Sequence, residues 1–397
     1  MKITIPDKVS EVAAKIFKEA KFSLEQKPGI DIAECNEISK DADAIVVRSY
    51  NLHELEFSDS VKAIGRAGAG VNNIPIDKCT GKGVVVFNTP GANANAVKEL
   101  VLCSLLLSSR GIVDGINWTD KQEVNEELAN LVEKNKSRFK GNEIKGKTLG
   151  VIGLGAIGML IANDASALGM EVIGYDPHIS VDNAWKLSVA VKKATDLNKL
   201  LEKSDYISVN VPLVDATKGL FNKKTLSKVK QGVKIMNFSR GPIVNEDDLK
   251  EALDKGIVGK YITDFPSEKL HGVENVILVP HLGASTKEAE ENCAIMVSEQ
   301  IIDYLENGNI TSSVNFPECN LGRNGSARLS IINKNIPAMI EKITAVLAEE
   351  KLNIEEMLNK SKGGIAYNIV DVNGDITEKA LEKIKSIEGI LRVRKLI

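Results

Sequence analysis

Cysteine and histidine are scarce in this chain, and the chemistry each would support is correspondingly limited. Only five cysteines occur in 397 residues, at positions 35, 79, 103, 293 and 319, and none has the C-x-x-C spacing. No zinc site and no disulfide framework is expected from such scattered thiols, which suit a reducing compartment. The histidines number four: His53, His178, His271 and His281. No apolar run approaches the roughly 20 residues needed to cross a bilayer. A dominant charge is missing too. Fifty-one Lys and Arg against 54 Asp and Glu leave a formal charge of −3, giving no reason to expect a nucleic-acid or membrane partner. No internal repeat or low-complexity tract stands out. The opening MKITIPDKVS passes straight into a strand-like segment, so no signal peptide and a cytoplasmic location are expected.

What is present is length for two or three domains and a 43% hydrophobic content typical of a globular protein. Short apolar runs at 44–48, 63–66, 84–88, 149–152, 171–175, 206–211, 234–237 and 276–279 alternate with helical patterns. Alternating β and α predicts an α/β protein with parallel sheets covered on both faces. Residues 93–110 read as a long helix connecting two units, 117–140 as a charged amphipathic insertion, and 306–326 as a linker without periodicity. The pattern then changes. A strand at 328–332, a helix at 336–351, strands at 354–360 and 365–372, a helix at 377–386 and a strand at 390–396 make a βαββαβ, ferredoxin-like module.

The most informative stretch is 148–176. A buried strand leads into Gly153-Leu154-Gly155-Ala156-Ile157-Gly158, a helix follows, and a second strand ends at Asp176. The first glycine permits a tight turn, the second lets backbone approach a pyrophosphate, and the third lets helix pack on strand. Free N–H groups at the helix start favour the anion. A carboxylate at 176 can accept both ribose hydroxyls and would repel a 2′-phosphate, which favours NAD over NADP. A second cluster, Gly65-Arg66-Ala67-Gly68-Ala69-Gly70, also follows a strand, but Phe87-Asn88-Thr89-Pro90 stands where an acidic residue would be needed. It reads either as a backbone nest for a substrate carboxylate or as a plain tight turn.

A nicotinamide cofactor leaves the protein to orient substrate and move a proton. His281, in Val279-Pro280-His281-Leu282-Gly283-Ala284, lies just beyond a strand, where ligands collect in open α/β sheets. It is the best general acid/base candidate. Glu268 follows the strand at 260–263 and could orient His281 and stabilise its imidazolium. Arg240 follows another strand and could hold a carboxylate in a bidentate pair.

These segments together resemble the D-isomer-specific 2-hydroxyacid dehydrogenases from about residue 3 to 305. The shared motifs are VRS at 47–49, GRAGAGVNN at 65–73, NTPGANANAVKEL at 88–100, GKTLGVIGLGAIG at 146–158, NFSRGPIVNEDDL at 237–249 and VPHLGAST at 279–286. The resemblance implies catalysis by Arg240, Glu268 and His281. It extends the NAD site to Val211, Pro212, Phe238, Ser239, Thr263, Asp264, Gly283 and Ala284. It implies a substrate domain from 1–92 and 287–310 and a Rossmann NAD domain at 93–286, with a cleft between them. A linker at 311–327 and a regulatory module of the ACT type at 328–397 would follow.

Arg48 and Arg66 match arginines placed beside a phosphorylated substrate, with Ala67, Gly68, Ala69 and Gly70 contributing amides. Lys136 and Arg138 are further candidates for positive charge, although a solvated basic face is the plainer reading. The implied reaction is NAD-dependent oxidation of 3-phospho-D-glycerate to 3-phosphohydroxypyruvate. A glycerate or hydroxypyruvate reductase and a non-enzymatic NAD-sensing regulator are the rivals. The family commonly has Asp five positions before the catalytic Glu, for the nicotinamide amide. Here Thr263 stands there, with Asp264 one place later. In the ACT-like module, Asn335 and Asn353 match positions that hold serine. The run Asn333-Lys334-Asn335-Ile336-Pro337-Ala338 replaces a pattern with His first and Gly after Pro. L-serine, another amino acid, or a purely assembling role are all open for it, as are a homodimer and a homotetramer.

Overall fold

The computed structural model describes residues 1–396; Ile397, the last residue of the expected C-terminal module, lies outside them. Two compact units form, Met1–Asn93 with Lys287–Ile397, and Ala94–Thr286.

The first unit opens with a five-stranded parallel sheet. Its strands are β1 (Lys2–Ile5), β2 (Ser23–Gln26), β3 (Ala44–Val47), β4 (Ala63–Arg66) and β5 (Val85–Phe87), in the order β2-β1-β3-β4-β5. β3 is buried along its whole length, which is why its sequence is a continuous apolar run rather than an alternation. The returning helix Lys287–Asn307 packs against β4. A Cβ on Gly65 would lie 2.4 Å from Val297 Cγ2, so the glycine permits this close approach.

The second unit is built on a seven-stranded parallel sheet. It contains β6 (Thr148–Ile152), β7 (Glu171–Tyr175), β8 (Lys192–Lys193), β9 (Tyr206–Val209), β10 (Val233–Asn237), β11 (Val258–Thr263) and β12 (Val276–Leu278). The order β12-β11-β10-β9-β6-β7-β8 reverses direction between β6 and β9. At such a switch point the connections leave to opposite faces and open a crevice at the strand carboxyl ends. The helix Ala94–Ser109 starts this unit. The insertion that follows forms helices Ile112–Thr119 and Leu128–Asn135 and a 3₁₀ turn, Lys136–Phe139.

Within the first unit the chain ends in an antiparallel sheet of β13 (Ala327–Lys334), β14 (Asn353–Lys362), β15 (Ile365–Asn373) and β16 (Ile390–Leu396), ordered β14-β15-β13-β16. Helices Met339–Glu349 and Glu378–Lys385 bury Ile343, Leu347, Ala380 and Ile384 with Leu329, Ile331, Val370 and Val372. Tyr367 and Ile369 of β15 join the core of Tyr304, Leu305 and Phe316 instead. Both faces of β15 are thus covered. Arg328 and Asp371 form a buried bidentate pair, Nε to Oδ1 at 2.6 Å and Nη2 to Oδ2 at 2.7 Å. The guanidinium also donates to the carbonyl oxygens of Asn307, Leu321 and Gly322.

The stretch between helix and module is held by side-chain amides in place of a ladder. Asn315 Oδ1 accepts from Val86 N at 2.8 Å and its Nδ2 donates to Val84 O at 2.9 Å, imitating a neighbouring strand beside β5. Phe316 and Cys319 are buried there. Among the described residues no helix is long and apolar enough to cross a membrane.

Candidate active site

In the second unit the three glycines of the β6 turn meet three different constraints. Gly153 has φ +87°, and a Cβ on it would lie 2.4 Å from the carbonyl oxygen of Asn210. A Cβ on Gly158 would lie 1.9 Å from the carbonyl oxygen of Gly153, so helix and turn touch there. At Gly155 a Cβ would meet nothing within 4 Å. Gly155 is the N-cap of the helix Ala156–Ala167, and no side chain caps it. The helix start therefore presents free N–H groups to open space, as a pyrophosphate requires. Asp176 is fixed by backbone donors. Its Oδ2 accepts from Leu154 N and its Oδ1 from His178 N, both at 2.8 Å. Each oxygen keeps a further lone pair for a ribose hydroxyl. These residues fit NAD.

Beyond β10, buried Asn237 shapes the next loop. Its Oδ1 accepts from Ser239 N at 3.2 Å, and its Nδ2 donates to Arg240 O at 2.9 Å and to the Tyr261 hydroxyl at 3.2 Å. Ser239 Oγ donates to Val209 O at 2.7 Å. Arg240 follows in extended backbone, its Nη1 donating to Ser239 O. Thr263 is occupied by the same scaffold. Its Oγ1 donates to Asn237 O at 2.7 Å and accepts from Phe265 N at 3.2 Å.

Asp264 differs from Thr263. It is buried, Oδ2 accepts from Gly283 N at 3.1 Å, and Oδ1 has no partner among the described residues. Burial pushes its carboxyl above the usual range, while the Gly283 N–H and the charges of His281 and Arg240 pull it back. Asp264 thus lies within electrostatic reach of both Arg240 and His281. The His281 ring stands edge-on to Phe265, with centroids 5.0 Å apart at 73°. Glu268 is exposed, and among the described residues it makes no hydrogen bond to His281. The loops bring Arg240, Asp264 and His281 together and leave Glu268 unjoined.

In the first unit, Asp7 organises the loop after β3. Its Oδ2 accepts from Arg48 N at 2.8 Å, from Tyr50 N at 2.7 Å and from Ser49 N. Arg66 Nε donates to Arg48 O at 3.0 Å, so the two arginines share one corner. The Arg66 guanidinium crosses Gly68, where a Cβ would lie 1.8 Å from Nη1. Arg48 Nη1 pairs with Glu290 Oε1 at 2.8 Å. Neither Asp7 nor Glu290 was among the sequence candidates; Glu290 is 242 positions from Arg48, and nothing in the local sequence links them. The amides of Ala67 and Gly68 are already spent on Val47 O and Arg66 O, both at 2.8 Å. Within the nest, Ala69 and Gly70 are the ones with backbone N–H groups left for an anion.

Lys136 pairs with Glu133, and Arg138 lies 5.9 Å from the Trp118 ring, so both have local partners.

A dinucleotide turn at the switch point of a parallel sheet, beside an ionisable cluster able to move a proton, places the protein among the NAD-binding oxidoreductases. Residues 102–283 match the family described as D-isomer specific 2-hydroxyacid dehydrogenase, NAD binding domain. The D-3-phosphoglycerate dehydrogenases of Haemophilus influenzae and Escherichia coli are both 34% identical, over 93% of this chain and 90% of their own. The NAD⁺-bound 3-phosphoglycerate dehydrogenase of Entamoeba histolytica is 29% identical with a TM-score of 0.63, covering 79% of this chain and 98% of its own. The chain belongs to the D-isomer-specific 2-hydroxyacid dehydrogenases, and its cofactor is NAD.

Proposed function

We propose that the protein oxidises 3-phospho-D-glycerate to 3-phosphohydroxypyruvate with NAD⁺, the first step of L-serine synthesis, acting in the cytoplasm. The observation that carries this reading is the 34% identity to D-3-phosphoglycerate dehydrogenases over 93% of the chain. The paired Arg48 and Arg66 agree with it, because a trianionic substrate needs more cationic partners than Arg240 alone. Residues 1–92 with 287–310 would bind substrate, 93–286 cofactor, and 328–397 an effector.

Bound NAD⁺ supplies the hydride acceptor. The chain's own groups do the rest. Neutral His281 takes the C2 hydroxyl proton on a ring nitrogen as hydride leaves C2. Asp264 stabilises the imidazolium by its charge, and Glu268 does so once substrate draws the two side chains together. Arg240 and the Ala69 and Gly70 amides hold the carboxylate, and Arg48 and Arg66 take the phosphate. For Arg48 this means exchanging Glu290 for substrate. Asp264, with its unpartnered buried Oδ1, would hold the nicotinamide carboxamide of bound NAD⁺; the Thr263 hydroxyl is already committed.

The C-terminal module would bind L-serine or another amino acid through Asn335 and Asn353. Asn335 Nδ2 donates to Gly363 O at 3.2 Å, which leaves its Oδ1 for a ligand amine. Ala338 keeps the left-handed backbone, φ +66°, that glycine holds more cheaply. Exposed Leu106, Ile112, Ile116 and Leu131 favour self-association to a homodimer or homotetramer.

NAD⁺ reduction followed by absorbance, with 3-phosphoglycerate and D-glycerate side by side, tests the reading. Turnover of D-glycerate alone would move it to an unphosphorylated substrate, and no reduction of NAD⁺ with either would end it. His281→Ala should lower kcat roughly 10²–10⁴-fold with NADH binding preserved.

A further inference from the structure

β16 is an edge strand that runs beside the first sheet, and the seam between them is cationic. Arg392 Nη1 donates to Val61 O at 2.8 Å and its Nη2 to Lys82 O at 3.2 Å. Arg394 donates to Leu305 O at 2.7 Å and lies 4.7 Å over the Tyr304 ring. Along this seam opens a cavity of about 590 Å³. Its charged lining is Lys62, Lys82, Lys385, Arg392 and Arg394 against one carboxylate, Asp59. A second cavity of about 620 Å³ shares Lys62 and Arg394 with it.

The local fold neutralises these charges only in part. Lys62 pairs with Asp43 and Lys385 with exposed Glu382. Among the described residues Lys82, Arg392 and Arg394 have carbonyl partners and no carboxylate within ion-pair distance. Burial holds the Arg392 guanidinium below its usual range, and the like charge of Arg394 adds to the effect. Three cations facing one another over a partly enclosed space repel, and carbonyl dipoles offset that only in part. Each guanidinium has five N–H donors, and Arg392 spends two on the Val61 and Lys82 carbonyls, so donors remain for a ligand. Planar forks beside a point-charge lysine suit a tetrahedral oxyanion.

We propose that this cavity is a second anion site, for a small phosphate-bearing anion, which on binding ties β16 to Lys62, just before β4, and to Lys82, at the end of the helix Ile76–Gly81 that leads into β5. None of its lining residues belongs to the set assigned to hydride transfer. The ligand's phosphate could be free orthophosphate or the phosphoryl group of a phosphorylated metabolite, and the test separates them.

Isothermal titration and thermal unfolding of the full chain would be run with orthophosphate and with 3-phosphoglycerate, against chloride at matched ionic strength. The variants are Arg392→Gln and the double variant Lys82→Gln/Lys385→Gln. A binding event is expected in the wild type that weakens about tenfold or more in both variants. The Michaelis constants for 3-phosphoglycerate and NAD⁺ should stay unchanged. The arm that binds more tightly identifies the source. Undiminished binding in the double variant would overturn the proposal. So would a loss matched by an equal rise in the 3-phosphoglycerate KM, which would place the event at the catalytic site. Arg392 also anchors the module, so if Arg392→Gln fails to fold the double variant decides alone.

Discussion

Alanine at Gly155 and alanine at Gly158 differ by one methyl group each from the native chain, yet the structure assigns them opposite consequences. At Gly158 the added Cβ would sit 1.9 Å from the Gly153 carbonyl oxygen, which belongs to the backbone of the turn and cannot rotate away. The helix must lift from β6, and overpacking of this kind costs about 1–3 kcal/mol or more. At Gly155 the Cβ meets nothing within 4 Å, and the backbone, at φ −68° and ψ −167°, is one that alanine adopts without strain. Restricting the unfolded chain favours alanine by about 0.4–1 kcal/mol, and the poorer N-cap offsets it by a similar amount, so the apo protein should keep its stability within about 1 kcal/mol. The methyl would instead occupy the open space reserved for the pyrophosphate. Losing one charge-assisted hydrogen bond there, worth about 1.5–3 kcal/mol, weakens the dinucleotide roughly 10- to 150-fold. Denaturant unfolding and NADH fluorescence titration measure the two quantities separately. Gly155→Ala should unfold close to the wild-type midpoint and bind NADH poorly, whereas Gly158→Ala should lose stability first. If Gly155→Ala bound NADH like the wild type, the pyrophosphate would not lie over this turn.

Two further expectations rest on buried charge. Asp264 is raised in the native state by burial, so the native chain holds its proton to higher pH than the unfolded chain. The resulting stability is present below the ordinary carboxylate range, declines as pH rises through the raised native value, and is flat above it. Asp264→Asn should remove that decline in unfolding measured across acid to neutral pH, leave the apo protein at least as stable at neutrality, and weaken NADH about tenfold. Unaltered NADH affinity would take the carboxamide away from this residue. Arg328→Ala strands buried Asp371 and should cost about 3–5 kcal/mol in denaturant unfolding; a loss below about 1 kcal/mol would show that neither the ion pair nor the guanidinium's carbonyl contacts hold the module.

The fold class and the cofactor turn were legible because both depend on local pattern. Strands buried on both faces read as unbroken apolar runs, and glycines at fixed offsets from a strand have few other uses. The βαββαβ module was legible for the same reason. The segment at 306–326 gave no periodicity to read, since its Asn315 amide imitates a strand through two hydrogen bonds that no apolar repeat announces.

The site divides along the same line. Sequence by itself identified the candidates in and after the strand ends: Arg240, Glu268 and His281, with Asp176 directly after β7 and Arg48 and Arg66 in the first unit. It could not choose between Thr263 and Asp264, because β11 ends at Thr263 and the loop beyond sets the direction of both side chains. The tertiary structure turned Thr263 onto the Asn237 carbonyl and left an Asp264 oxygen without a partner. It also spent two of the four nest amides, gave Arg48 a carboxylate 242 positions away, and gathered cations from both ends of the chain along β16. Backbone preference and apolar spacing act over a few residues and can be read from the chain. Hydrogen-bond partners and charge neighbours are fixed only when distant segments pack, and that determines which of the candidate groups remain free to meet a ligand.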